Sequence, residues 1–145
     1  MTHEDELRQW AKGSPNQEAA TELLLRAFAG RYARPEQPWV NTGVGYMSVW
    51  IDFAGMPDQI LWLPDRERHV LLVAASLAEN VPVVLGDVLV GLDKDNLALV
   101  LAAIAHAGTD RVPRGIWTRP AGSDGLGGIC LESLYPWPEE TPADA

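Results

Sequence analysis

Asp65 and His69 stand four residues apart in PDRERHVLLVAASLAEN. On a helix that spacing puts a carboxylate and an imidazole on one face, where the acid can orient the ring for proton transfer. Asp65 also has a plainer task as cap of the first turn, and a histidine one turn in is ordinary solvated surface. His106 closes the apolar run LALVLAAIAHAG, where the helix dipole favours its protonated form. Catalysis there would require a carboxylate or thiol delivered from elsewhere in the chain. Cys130, the single cysteine, lies among apolar residues in GGICLESL. That context suits packing rather than a nucleophile.

Two patterns imitate ligand sites. GSDGLGG, with Gly122, Gly125 and Gly127, lacks the following helix and the lysine that a phosphate loop uses to face an anion. It reads as a turn. LDKDN offers Asp93 and Asp95 in a calcium-like array, but Ala98 stands where such a loop needs glycine and Ile104 where it needs a carboxylate. Helix capping accounts for both aspartates, and no metal or cofactor is expected.

Binding residues are easier to find. In YMSVWIDFAG, Met47, Val49, Ile51 and Phe53 alternate with Tyr46, Ser48, Trp50 and Asp52, the pattern of a strand with one face on a core. The second face joins two aromatics to a hydroxyl and a carboxylate. Aspartate is disfavoured in mid-strand, so Asp52 should reach water or accept hydrogen bonds, with Arg114 and Arg119 as candidate donors. Six tryptophans (Trp10, Trp39, Trp50, Trp62, Trp117, Trp137) are many for 145 residues. Tryptophan is enriched at interface hot spots, although covering a sheet beneath helices would also employ them. Arg66 and Arg68 add positive charge to a first helical turn, against the dipole, and so call for acidic compensation from Asp65, Glu67 or a surface elsewhere.

The elements that must position these residues are legible in part. A short helix over Glu4–Ala11 precedes a longer one in SPNQEAATELLLRAFAGRYARP. Ser14 and Gln17 suggest a capping box, Pro15 suits the first turn, and apolar residues recur at helical spacing from Ala20 to Tyr32. The strand at Tyr46 should turn at MPDQ and return as QILWL, an antiparallel hairpin that sets Trp62 near Trp50. A helix from Asp65 stops before Pro82, with Val70, Val73, Ala74 and Leu77 inward. VPVVLGDVLVGL reads as a brief extended piece and then helix, with strand and helix both open for Val81–Leu92. Asp93 caps a helix from Lys94 to Ala107 ended by Gly108, whose apolar run predicts burial on most sides. The tail suggests a second hairpin around its glycines. Residues 1–137 therefore read as one α+β domain, a small antiparallel sheet of two hairpins packed on three to four helices, and residues 138–145 as a disordered acidic tail.

The chain has the common length of a single domain. Its net charge of −9 argues against nucleic acid, which needs clustered Lys and Arg. No segment suits a membrane span or a leader, and one cysteine suits a reducing compartment, so the expected location is the cytoplasm. The leading reading is a non-catalytic binding domain with a basic protein partner, engaged by Tyr46, Ser48, Trp50, Asp52 and Trp62. Small size, acidity and tryptophan content make the chain similar in bulk to bacterial immunity proteins and antitoxins that plug basic active sites. A second reading is a small enzyme with a cleft near Asp52, His69 or His106. The third is a structural subunit that self-associates, as a homodimer, through the same face.

Overall fold

The computed structural model describes residues 1–43, 49–109 and 136–139. Among them are six helices and one two-stranded antiparallel sheet, an α+β arrangement. Four long helices carry the core, and two short ones, Met56–Gln59 and Leu85–Leu89, add to the expected number.

Helix α1 (His3–Ala11) starts on a capping box: Thr2 Oγ1 accepts from Asp5 N, and the Asp5 carboxylate accepts from Thr2 N. Hydrogen bonding to the carboxyl from the Thr2 side chain and backbone N–H holds Asp5 below its ordinary range. Helix α2 (Pro15–Arg26) opens with Pro15, but the expected box at Ser14 does not form. Glu18 instead accepts from Gly13 N at 3.3 Å. Nor does α2 continue to Tyr32. It passes at Ala27 into a 3-10 segment, Ala27–Ala33, in which Phe28, Ala29 and Gly30 take left-handed backbone angles. Only glycine adopts such angles without penalty. The kink turns Tyr32 inward, where its carbonyl accepts from the indole of fully buried Trp39 at 2.7 Å.

Strands β1 (Val40–Asn41) and β2 (Trp50–Ile51) pair with Val40 opposite Ile51. Alternation holds as expected from Val49 to Phe53: Val49, Ile51 and Phe53 are buried, while Trp50 and Asp52 are half-buried. The pairing partner is different. Residues 60–63 form a turn rather than a strand, because MPDQ winds into the one-turn helix α3 (Met56–Gln59), with Pro57 in its first turn where no donor is needed. Ile60 and Leu63, three apart, then both face the core, which throws Leu61 and Trp62 outward. In a strand Ile60 and Trp62 would share a face.

Helix α4 (Asp65–Glu79) ends at left-handed Asn80, before Pro82 as expected. After an extended stretch comes α5 (Leu85–Leu89). Helix α6 (Lys94–Thr109) begins where Asp93 Oδ1 accepts from Asn96 N at 2.8 Å, and it runs one residue past Gly108. Helix α2 packs on both α4 and α6, and α1 covers α2 and β2. The expectation that α6 is enclosed on most sides is corrected. Val100, Ala102, Ala103 and Ala107 are buried, whereas Leu97, Leu101 and Ile104 lie on an exposed flank. A continuous apolar run hides periodicity, and here the alanines, whose small side chains allow close helix approach, took the buried side. No helix among the described residues is long and apolar enough to cross a membrane. The expected second hairpin and most of the expected acidic tail lie outside the described residues, as do Tyr46, Ser48 and Cys130.

Candidate functional site

Of the expected binding residues, Trp50 pairs with Asn41 across the sheet. Asp52 donates its backbone N–H to the Trp39 carbonyl at 2.8 Å, while its carboxylate accepts from Gly55 N at 3.0 Å. The acid thus closes the turn leading into α3. A Cβ on Gly55 would stand 2.5 Å from an Asp52 carboxylate oxygen, so a larger residue there would make that carboxylate shift. Arg114 and Arg119 lie outside the described residues.

Trp62 is not across the sheet from Trp50, because its segment is the turn after α3. It is 72% exposed, beside Leu61 at 73%. Its ring is nevertheless held: the indole N–H donates to the Gln59 carbonyl at 2.8 Å, and the Gln59 amide donates to the Gly55 carbonyl at 3.2 Å. Asp58 and Asp65, both exposed, flank the pair. Leu61 was not singled out from sequence. Its signal was the three-residue spacing of Ile60 and Leu63, legible only once the segment is read as a turn.

The three histidines are dispersed. His3 lies 2.8 Å from the Ala33 carbonyl, and His69 lies 3.0 Å from that of Val90. The Asp65–His69 pair does not form, because Arg68 takes the Asp65 carboxylate. Arg66 reaches Asp93 at 3.3 Å, so each arginine in the first turn of α4 has an internal carboxylate to offset the dipole. Glu67 accepts from the Tyr32 hydroxyl at 2.7 Å. Burial, and then that carboxylate, raise the Tyr32 phenol above its ordinary range.

His106 does find a carboxylate. Its Nε2 is 3.2 Å from Glu18 Oε1, a contact between residues 88 positions apart that joins α6 to α2. Both line a cleft of about 260 Å³ with Arg8, Lys12, Thr21 and Glu22. Thr21 is almost fully buried, and its hydroxyl has no hydrogen-bond partner among the described residues. Glu22 accepts from Arg8 and, at 2.8 Å, from Arg26. Burial pushes the Glu22 carboxyl up, and the two arginines outweigh it, leaving the group below its ordinary value. Of this cluster only Glu22 with Arg26, four apart on one helix, was legible from spacing. Among the described residues no group of three or more His, Cys, Asp or Glu is placed to hold a metal.

No protein-family model, no curated protein and no solved structure matches this chain.

Proposed function

We propose that this protein is a non-catalytic binding domain for a basic protein partner, with Trp62 and Leu61 as its anchor. The observation that carries this reading is the Trp62 ring, exposed yet held by its bond to the Gln59 carbonyl. Interface hot spots are enriched in tryptophan, and a ring already fixed loses less entropy on binding. Asp58 supplies an exposed acid beside the pair in sequence, and the net charge of −9 favours approach of a basic surface. Asp52 shapes the turn that leads into α3 and so towards this face. Affinity capture with the full chain as bait tests the reading, with Trp62→Ala and Leu61→Ser as controls. A basic protein retained by the wild type, released by salt and lost from both folded variants supports it. Retention unchanged by either variant overturns it.

A second reading rests on the His106–Glu18 pair in its cleft. A carboxylate beside an imidazole suits proton transfer in a small enzyme. Loss of a measured turnover in His106→Gln, with the fold intact, would favour it over the binding reading.

A further inference from the structure

The cleft of about 260 Å³ between α1, α2 and α6 has a fixed shape. Ala11 and Thr21, each 1% exposed, form its floor, while Arg8 and Lys12 stand exposed at its rim. On one wall the His106 ring is held by Glu18 at 3.2 Å and packed 6.3 Å from the ring of Trp137. On the other, Glu22 is clamped by Arg8 and Arg26. Walls held in this way need little reordering when a molecule enters.

The acceptors of the cleft are already engaged. Glu22 takes N–H groups from two arginines, and Glu18 takes the Gly13 N–H at 3.3 Å besides meeting the His106 ring. Donors remain unspent. The Lys12 ammonium has no hydrogen bond or ion pair among the described residues, and neither has the Thr21 hydroxyl. Thr21 lies inside α2, yet it forgoes even the bond that a helical threonine can make to a carbonyl one turn back. Valine would fill the same space without burying an unpaired polar group, so packing alone does not account for the hydroxyl.

We propose that this cleft binds a small hydroxy- or oxo-carboxylate, with its charged end on Lys12 at the rim and its second oxygen on the Thr21 hydroxyl at the floor. Unspent donors select a ligand rich in acceptors, and a free ammonium selects an anion. Two donors at different depths select two separate oxygens. Ala11 and the methylene stems of Arg8 and Lys12 offer apolar contact to the carbon skeleton between them. The volume falls below the roughly 300–1,000 Å³ of pockets for drug-sized molecules, so the occupant is small. One step about χ1 carries the Thr21 hydroxyl between staggered positions, and no backbone movement is needed to present it. The inference is independent of the Trp62 surface and of any proton transfer by His106.

Titration of the full-length protein with L-lactate and with pyruvate, followed in amide NMR spectra, tests it. Propionate is the control that lacks the second oxygen. Both ligands are expected to shift the signals of Ala11, Lys12 and Thr21 saturably, and to bind about tenfold more tightly than propionate. Thr21→Val should erase that preference while raising the melting temperature, so its loss cannot be put down to unfolding. Lys12→Gln should weaken all three acids about fivefold. No saturable shift with lactate or pyruvate overturns the proposal, as does equal affinity of the wild type for propionate. Affinities unchanged in both variants would place the acid elsewhere on the protein and overturn it too. Thr21→Ala serves the same purpose if Thr21→Val does not fold.

Discussion

At the seam of α1, α2 and α6, charged groups sit half-buried: Glu22 between Arg8 and Arg26, and Glu18 against His106. At the turn after α3 two large apolar side chains, Leu61 and Trp62, stand in water instead. Each region reverses the usual partition of polar and apolar groups, but for different reasons. The half-buried charges of the seam have partners, so folding itself accounts for them. Exposing Leu61 and Trp62 gives no comparable return to the fold, since apolar burial is the main favourable term in folding. The contrast therefore directs the search for a partner to the turn and the search for stability to the seam.

Breaking the seam should have the largest effect. Glu22→Ala leaves Arg8 and Arg26 without their shared acceptor and is expected to lower stability by about 1–2 kcal/mol in urea denaturation. That is less than for a fully buried pair, because Arg8 is partly solvated. The same carboxylate sets a pH dependence. Its folded pKa lies below the ordinary value of 4.5, so the unfolded chain takes up the proton first as pH falls. Glu22 therefore contributes its full stabilisation above about pH 4.5 and loses it as pH drops through the folded value, a limb that Glu22→Gln should remove from the stability curve. An unchanged urea midpoint in Glu22→Ala would mean that the seam adds nothing to stability.

Thr21→Val sharpens the same region in the opposite direction. It replaces a buried hydroxyl lacking a hydrogen-bond partner among the described residues with a methyl group of similar shape, and thermal unfolding should shift upward by the equivalent of about 1 kcal/mol. A loss of stability would show that the hydroxyl is engaged. The smallest effect is expected at the turn, where Trp62→Ala should alter stability by less than about 0.5 kcal/mol. A larger loss would make Trp62 part of the fold and erase the contrast.

Sequence reasoning failed where a neighbouring residue or turn outcompeted the expected pattern, and where the partner was distant along the chain. Residues 60–63 carry the β-prone side chains of a strand, yet Pro57 and the one-turn helix α3 rotate them by a different period. Alternation at residues 49–53 was readable because one buried face imposes it directly. Asp65 and His69 have the right spacing for a pair, but Arg68 is nearer in charge and reach. The Glu18–His106 contact had no local sign at all. Trp62 was readable as a binding candidate by type alone, and its exposure was not.

The sequence by itself determined α1, α2, α4 and α6 and the inward side of the strand at Ile51, because caps, prolines and periodicity act over a few residues. Tertiary structure decided that Val40 pairs with Ile51, that α6 turns its alanines inward, and that Glu18 meets His106. Those choices depend on which distant segments together bury the most apolar surface while keeping their polar groups satisfied, a balance struck over the whole chain at once.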